Sequence, residues 1–144
     1  MGSEQELPYS KPTTAISDKG EFGTWFRAKF DDAGAFAAGE RASGQITHPG
    51  YEHLRMDLEL VDVEPERRLS YRWHPYAVDP NTDYSHEPMT LVTFTLEDAP
   101  EGTLLTIVES GFEEVPLARR DEAFRMNEGG WTAQLRNIES HVTA

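Results

Sequence analysis

The C-terminal stretch, residues 116–144, most constrains the fold, because it is the one segment long and periodic enough to indicate a helix by itself. Its large apolar side chains recur at spacings of seven, four, three and four residues: Phe124, Trp131, Leu135, Ile138 and Val142. This spacing places them on one stripe of a helix. The pattern therefore predicts a long amphipathic C-terminal helix over which the rest of the chain closes.

Two consecutive glycines, Gly129 and Gly130, interrupt the helical pattern. Each costs roughly 1 kcal/mol relative to alanine inside a helix, so their presence requires a physical reason. One interpretation is that the helix kinks here or that its backbone approaches a strand or loop closely. The other interpretation is that the missing side chains leave room for a ligand under the helix.

Upstream of this helix, the apolar period changes to two, which is typical of strands. Residues 54–60 alternate leucine or methionine with charged side chains, and residues 68–74 alternate large apolar side chains with polar ones. Residues 89–112 indicate a hairpin. An antiparallel sheet with one apolar face needs a cover, which the C-terminal helix is long enough to supply. The fold class is therefore predicted to be α+β, with about five consecutive antiparallel strands in the sheet.

The N-terminal residues 1–14 contain two prolines and no clear period, so we expect an irregular leader before a single domain of residues 15–144. Directly after the leader, Ser17 or Asp18 is suited to cap a short helix. That helix is expected to hold four aromatic residues, which must be mostly buried: Phe22, Trp25, Phe26 and Phe30.

Composition argues against several classes of function. The chain has 26 acidic and 13 basic side chains and a net charge of −13, so it would repel a nucleic acid backbone. It has no cysteine, and its five histidines are scattered without the spacing of a zinc site. No apolar run approaches the ~20 residues of a membrane span, and no signal peptide is visible. We therefore predict a cytoplasmic protein with no metal, no cofactor and no nucleic acid partner.

Several segments together resemble one known family: FGTWF at 22–26, RLSYRWHP at 68–75, TLVTFTLE at 90–97, GTLLTIVESGF at 102–112 and NEGGWTAQLRNIESHV at 127–142. The family is the activator-of-heat-shock-protein-ATPase-like group of the START/polyketide-cyclase superfamily. The likeness runs from about residue 15 to the C-terminus. It implies a helix-grip (START-like) fold, in which a curved antiparallel sheet wraps round the C-terminal helix, short helices lie near the N-terminus, and a hydrophobic cavity lies between.

One departure from the family concerns the start of the chain. Members usually begin with a strand and a helix, and here about 15–20 residues of that start are absent or replaced by residues 1–14. The first strand of the sheet is therefore expected to be missing or irregularly substituted. A missing strand would leave a sheet edge open for pairing with another chain, which is compatible with a homodimer or a chaperone partner.

The predicted binding site is the cavity between the sheet and the C-terminal helix, because concave apolar pockets are the usual place for ligands. Alternation and helical spacing indicate these lining residues: Trp25, Phe26, Met56, Leu58, Tyr71, Trp73, Phe94, Glu109, Phe124, Trp131 and Leu135. The competing interpretation is that the large side chains simply pack together as a solid core.

Glu109 is the sharpest polar candidate in that set. If Leu105 and Ile107 face inward, Glu109 shares their side of the strand, and a buried carboxylate would need compensation, for example by a charged partner. Arg72 or His74 could be that partner only where their strand bends, since plain alternation puts both on the outer face. The alternative is that Glu109 faces solvent near the end of its strand.

Three functions from different classes are compatible with the sequence. The first is binding of a small hydrophobic or aromatic ligand, such as a lipid, polyketide or flavonoid-like molecule, in the cavity. The second is a co-chaperone-like module that stimulates a heat-shock-protein ATPase in the stress response, as the resemblance implies. The third is a cyclase- or hydrolase-type enzyme in which Tyr71, Glu109 and His74 do acid–base work. No residue is assigned a catalytic role, because a fold does not determine a function.

Overall fold

The computed structural model describes residues 2–7, 16–64, 67–74, 87–100, 102–115 and 117–143. Within these ranges the chain forms seven strands and two helices of eight residues or more. In chain order these elements are β1 (Gly2–Leu7), α1 (Lys19–Phe26), β2 (Ala28–Phe30), β3 (Arg41–Ile46), β4 (Arg55–Glu64), β5 (Arg68–Trp73), β6 (Thr90–Ala99), β7 (Gly102–Ser110) and α2 (Leu117–Thr143). A short 3-10 turn, Phe112–Glu114, lies between β7 and α2.

The seven strands form one antiparallel sheet in the order β1-β7-β6-β5-β4-β3-β2. From β2 to β7, neighbours in the sheet are also neighbours along the chain, whereas β1 pairs with β7 from the opposite end of the sequence. The described parts of the chain therefore confirm the predicted α+β helix-grip architecture. The sheet has two more strands than the five that the sequence pattern indicates.

Burial along the elements shows how the sheet and the C-terminal helix meet. On β7, Leu105 and Ile107 are buried while Val108 is exposed, so one face of the strand is interior. On α2, Trp131, Leu135 and Ile138 are buried in the same core cluster as the strand residues. The predicted apolar stripe of the helix is therefore confirmed for these three positions.

The expectation of an irregular leader is wrong for the first residues of the chain. Gly2–Leu7 forms β1 and pairs with β7, from Gly2 opposite Val108 to Leu7 opposite Thr103. Residues 2–6 are glycine or polar, so no apolar alternation indicated a strand. The unpaired backbone N–H and C=O groups at the edge of β7 explain the pairing, because a strand satisfies them whatever its side chains are. Residues 8–14 lie outside the described residues.

The short helix α1 begins as predicted and ends earlier. Asp18 is its N-cap, and the carboxylate Oδ2 of Asp18 accepts a hydrogen bond from the backbone N–H of Glu21 at 3.0 Å. The helix ends at Phe26 because Arg27 adopts a left-handed backbone conformation with φ of 69°. The expectation that Phe30 belongs to this helix is therefore wrong, and Phe30 lies in β2 instead.

Candidate functional site

A buried carboxylate lies near the end of β7, where the sheet faces α2. Glu109 is 0% exposed and shares the inner face of its strand with Leu105 and Ile107. The inward orientation that the sequence left open is therefore the observed one. A charged group in the interior is costly unless hydrogen bonds stabilise it.

Among the described residues, four neutral side chains donate hydrogen bonds to Glu109. The indole Nε1–H of Trp131 donates to Oε1 at 2.8 Å, and that of Trp73 donates to Oε2 at 2.9 Å. The Thr90 hydroxyl donates to Oε2 at 2.5 Å, and the Asn127 amide nitrogen lies 3.0 and 3.2 Å from the two oxygens. Hydrogen bonds to an ionised group are stronger than those between neutral groups. A single carboxylate therefore links β5, β6 and α2 to β7.

The strand register brings these groups together. Trp73 pairs with Thr90 across β5 and β6, while Glu109 pairs with Val92 across β6 and β7. Thr90 and Val92 share one face of β6 because same-face residues recur at every second position. The two donors from α2 are four residues apart, which is the spacing that puts two side chains on one side of a helix.

The charged partners considered for Glu109 do not supply these hydrogen bonds. Arg72 is exposed on the outer face of β5, and the His74 Nε2 atom lies 3.0 Å from the carbonyl oxygen of Glu87. Sequence reasoning also missed Thr90 and Asn127 as donors. The available signals were weak: Thr90 shares the inner face of β6, and Asn127 lies on the helical stripe that was predicted to face the sheet.

A tyrosine hydroxyl is buried in the same region. The Tyr71 hydroxyl has no hydrogen-bond partner among the described residues. Burial, and secondarily the negative charge of Glu109, raise the pKa of Tyr71 well above its usual value near 10. Tyr71 therefore stays protonated, and its O–H is an unused donor in the interior.

Aromatic rings surround the carboxylate network. Trp73 and Trp131 stack with their centroids 5.7 Å apart, and Phe26 contacts them at 6.0 and 6.3 Å respectively. Phe94 lies 5.6 Å from Trp131, and Tyr71 lies 5.5 Å from Trp73. Ring pairs at these separations attract each other in addition to burying apolar area. The rings therefore form one continuous packed cluster.

The predicted lining residues all lie within the described part of the chain. Eight are buried: Trp25, Met56, Leu58, Tyr71, Phe94, Glu109, Trp131 and Leu135. Phe26 and Trp73 are half-buried and pack against the core. Phe124 is half-buried and packs on Phe112, with ring centroids 5.2 Å apart, so it lies at the 3-10 turn. That these residues bind a ligand stays a prediction.

A small cleft opens to solvent beside the carboxylate network. Its volume is about 80 Å³, and its lining comes from α1, β5 and α2: Phe26, Trp73, Met126, Asn127, Gly130, Trp131 and Gln134. The space compares with roughly 30 Å³ for one water molecule in the liquid and roughly 300 Å³ or more for a pocket that encloses a drug-sized ligand. The cleft can therefore hold one end of a ligand but cannot enclose a whole polyketide or flavonoid.

Gly130 belongs to the lining of this cleft. A Cβ atom at Gly129 or at Gly130 would meet no neighbour within 4 Å, so neither position approaches a strand or loop closely. The helix α2 runs without interruption from Leu117 to Thr143. The close-approach interpretation of the two glycines is therefore wrong. A side chain at Gly130 would instead reduce the open space of the cleft.

A larger groove lies elsewhere, between α1 and β2. Its volume is about 520 Å³, and it shares no lining residue with the predicted site. Charged side chains dominate its polar part, including Lys19, whose ammonium group lies 3.1 Å from the Asp32 carboxylate. This groove therefore differs in chemistry from the ring-lined cleft.

Neither a metal-ligand cluster nor a membrane-spanning helix occurs among the described residues. These residues contain no group of three or more His, Cys, Asp or Glu side chains that could hold a metal ion. Over the same ranges, neither helix is long and apolar enough to cross a membrane.

The sheet, the C-terminal helix and the ring-lined interior define a helix-grip domain. The chain belongs to the family described as Activator of Hsp90 ATPase homolog 1-like protein, whose sequence profile matches residues 14–143. This match confirms the resemblance seen in the sequence. No curated protein matches the chain.

Solved structures with the same fold span nearly the whole chain. Protein MLL2253 from Mesorhizobium loti is 25% identical, with a TM-score of 0.74, and the match covers 99% of this chain and 96% of that one. DynU16, from the dynemicin biosynthetic locus, is 19% identical, with a TM-score of 0.73 and coverage of 100% and 47%. The Aha1 dimer from Colwellia psychrerythraea is 15% identical, with a TM-score of 0.67 and coverage of 96% and 92%. The last two likenesses show the fold alone.

Proposed function

We propose that the protein binds one end of a small apolar or aromatic ligand in the cleft between α1, β5 and α2. The observation that carries this proposal is a solvent-open cleft walled by Phe26, Trp73 and Trp131. The cleft lies between the sheet and the C-terminal helix, which is where the family resemblance implies a ligand cavity. Family membership and the aromatic interior support the same class of function.

The Glu109 network supports the proposal because it fixes the walls before any ligand arrives. Each indole of Trp73 and Trp131 is held by a hydrogen bond to the carboxylate, and each ring also packs on the other. A wall that is already ordered loses little conformational entropy on binding, so more of the contact energy remains as affinity.

The size of the cleft sets the expected affinity. Burying about 100 Å² of apolar ligand surface at about 25 cal/mol/Å² yields about 2.5 kcal/mol before the costs of association. Fragments that fill only the cleft should therefore bind weakly, with a Kd on the order of 10 mM or above. A natural ligand would gain further affinity from the part that extends beyond the cleft.

The test is a titration of the protein with small aromatic fragments, followed through the indole N–H signals in ¹H–¹⁵N NMR spectra. The chain has three tryptophans, so three indole signals are expected. Fragments that enter the cleft should shift the signals of Trp73 and Trp131 in a saturable manner. Trp25 does not line the cleft, and its signal should move least.

Two alanine substitutions on α2 provide a matched comparison. Gly130→Ala places a methyl group in the cleft lining and should weaken fragment binding about tenfold. Gly129→Ala adds the same methyl group outside the lining and should leave binding unchanged. Both changes should stabilise the helix by about 1 kcal/mol, so lost binding in the first variant would not reflect unfolding.

Equal binding by the two variants would show that the fragments bind elsewhere, and the proposal would fail. It would also fail if no fragment shifted the two indole signals. In that case the co-chaperone hypothesis would be tested next, by adding the protein to a heat-shock-protein ATPase and measuring ATP hydrolysis. That hypothesis is suggested by the family's description and stays a prediction.

A further inference from the structure

The cleft combines aromatic rings with neutral polar groups. Phe26, Trp73 and Trp131 supply the rings, and the other lining residues are Met126, Asn127, Gly130 and Gln134. None of these seven residues carries a formal charge. A positively charged ligand would therefore meet no basic side chain among them.

The two indoles are oriented in a way that favours a cation. Both Nε1–H groups donate to the Glu109 carboxylate, and hydrogen bonding to an anion polarises the donor group. Tryptophan already offers the best ring face for a cation. Phe26 and Trp73 are half-buried, so each presents ring surface to a ligand in the cleft.

The carboxylate itself lies one side chain behind the cleft wall. Its contacts with Trp73, Asn127 and Trp131, all of which line the cleft, measure between 2.8 and 3.2 Å. These three groups are neutral dipoles, and their hydrogen bonds hold the carboxylate in place behind the wall. An electrostatic field acts more strongly through a buried region than through water. The net charge of −13 adds a field of the same sign.

We infer that the end group that enters the cleft is a small organic cation of the alkylammonium class, selected by the ring faces of Trp73 and Phe26 and by the charge of Glu109. The inference rests on the proposed function and narrows the ligand from any apolar fragment to one with a positive end. Glu109 then determines specificity without touching the ligand directly.

Choline and 3,3-dimethylbutan-1-ol provide the test, because they have the same shape and differ in whether the central atom is a charged nitrogen or a neutral carbon. Each is titrated into the protein at constant ionic strength, maintained with potassium chloride, and followed through the indole signals of Trp73 and Trp131. Choline is expected to bind about tenfold more tightly than the neutral alcohol.

Two charge-removing variants separate a local effect from the overall field. Glu109→Gln keeps the size of the side chain and should reduce the choline advantage to about threefold or less. Glu97→Gln removes the same charge from an exposed position on β6 and should retain the full advantage. Trp73→Phe keeps a ring but loses the N–H and weakens the ring face, so it should also reduce the advantage. If Glu109→Gln fails to fold, Trp73→Phe is used in its place, and binding is followed through the indole signal of Trp131.

Equal affinity for the two compounds would overturn the inference and leave the proposed function intact. The inference would also fail if aromatic fragments bound in the cleft while choline shifted neither indole signal. An equal loss of the choline advantage in Glu109→Gln and Glu97→Gln would assign the preference to net charge and overturn the role of Glu109. If neither the fragments nor these two compounds bound, the proposed function would fail as well.

Discussion

A slip of β7 by one residue against β6 would turn Glu109 outward and leave the indole N–H groups of Trp73 and Trp131 without this acceptor. Buried donors that lose their acceptor cost about 1–3 kcal/mol each. The carboxylate therefore penalises wrong strand registers as well as linking the sheet to α2. At the scale of single residues, this gives Glu109 a structural reason to be buried that is independent of any ligand.

The unpartnered hydroxyl of Tyr71 leads to the first prediction. Because the O–H has no partner among the described residues, replacing it by hydrogen removes a desolvated polar group and leaves the ring contacts in place. Tyr71→Phe should therefore raise the free energy of unfolding at neutral pH by about 1 kcal/mol. Urea denaturation measures this change. Tyr51→Phe, at an exposed position, is the matched control and should have little effect.

The same substitution should change the pH dependence of stability. The raised pKa of Tyr71 means that the folded state keeps a proton that the unfolded state loses near pH 10. The resulting contribution of Tyr71 to the free energy of unfolding is fully present below about pH 10. It is lost as the pH rises above that value, by up to about 1.4 kcal/mol per pH unit. Tyr71→Phe should make that alkaline decline shallower. A variant as alkali-sensitive as the parent, or less stable at neutral pH, would contradict the prediction.

The sequence could predict which residues share a face with Glu109, but neither whether that face is buried nor which side chains it contacts. A strict period of two puts Glu109 on the same side as Leu105 and Ile107, but the opposite face of the strand is also partly apolar. The donors to Glu109, by contrast, lie 36 residues away at Trp73 and 22 residues away at Trp131. Contacts over such separations depend on the register of three strands and the rotation of α2, which local patterns do not encode.

At the scale of elements, the joint between α1 and β2 depends on one glycine. A Cβ atom at Gly23 would lie 2.2 Å from the carbonyl oxygen of Ala28, which is a backbone atom and cannot turn aside. Gly23→Ala should therefore push α1 off β2 and lower the free energy of unfolding by about 2 kcal/mol or more, despite the helix propensity gained. Thermal or urea unfolding of the purified variant measures the loss.

Gly129→Ala is the control for that loss. It makes the same chemical change inside a helix, at a position where the added methyl group meets nothing within 4 Å. It should stabilise the protein by about 1 kcal/mol, so the two variants should change stability in opposite directions. A stabilised Gly23→Ala variant would show that the contact between α1 and β2 is loose.

The elements also show where sequence patterns stop being informative. The C-terminal helix and the strands from β4 to β7 were predictable because their apolar periods match buried faces. The strand Gly2–Leu7 was not, because its pairing with β7 is a property of the edge it meets and not of its own side chains. An irregular leader and an edge strand can have the same composition.

At the scale of the whole molecule, the helix-grip fold could be predicted, whereas the size of the cleft could not. The fold class follows from the apolar periods of the helix and strands and from the family resemblance. Both features persist when many individual residues are substituted. The volume left beside Trp131 depends on how the rings of three elements pack, and a single methylene group changes it noticeably. In the described part of the chain the space beside Trp131 is a cleft of about 80 Å³, and an enclosing cavity stays a prediction.

The net charge of −13 provides the last prediction. Like charges spread over a compact fold repel each other, and salt screens them: the Debye length falls from about 30 Å at 0.01 M to about 10 Å at 0.1 M salt. Salt also weakens ion pairs, but the described pairs of Lys19, Arg41 and Arg55 each include a surface carboxylate, and exposed pairs contribute about 0–1 kcal/mol.

The repulsion should therefore outweigh the pairs, and added sodium chloride should increase the free energy of unfolding by an amount on the order of 1 kcal/mol between about 0.01 and 0.3 M. Sodium chloride and potassium chloride at equal ionic strength screen charge equally, so both salts should produce the increase. Urea denaturation at each salt concentration measures it. A decrease in stability with salt would mean that a few attractive ion pairs dominate the electrostatics. Local ion pairing would then outweigh the repulsion among the excess acidic side chains.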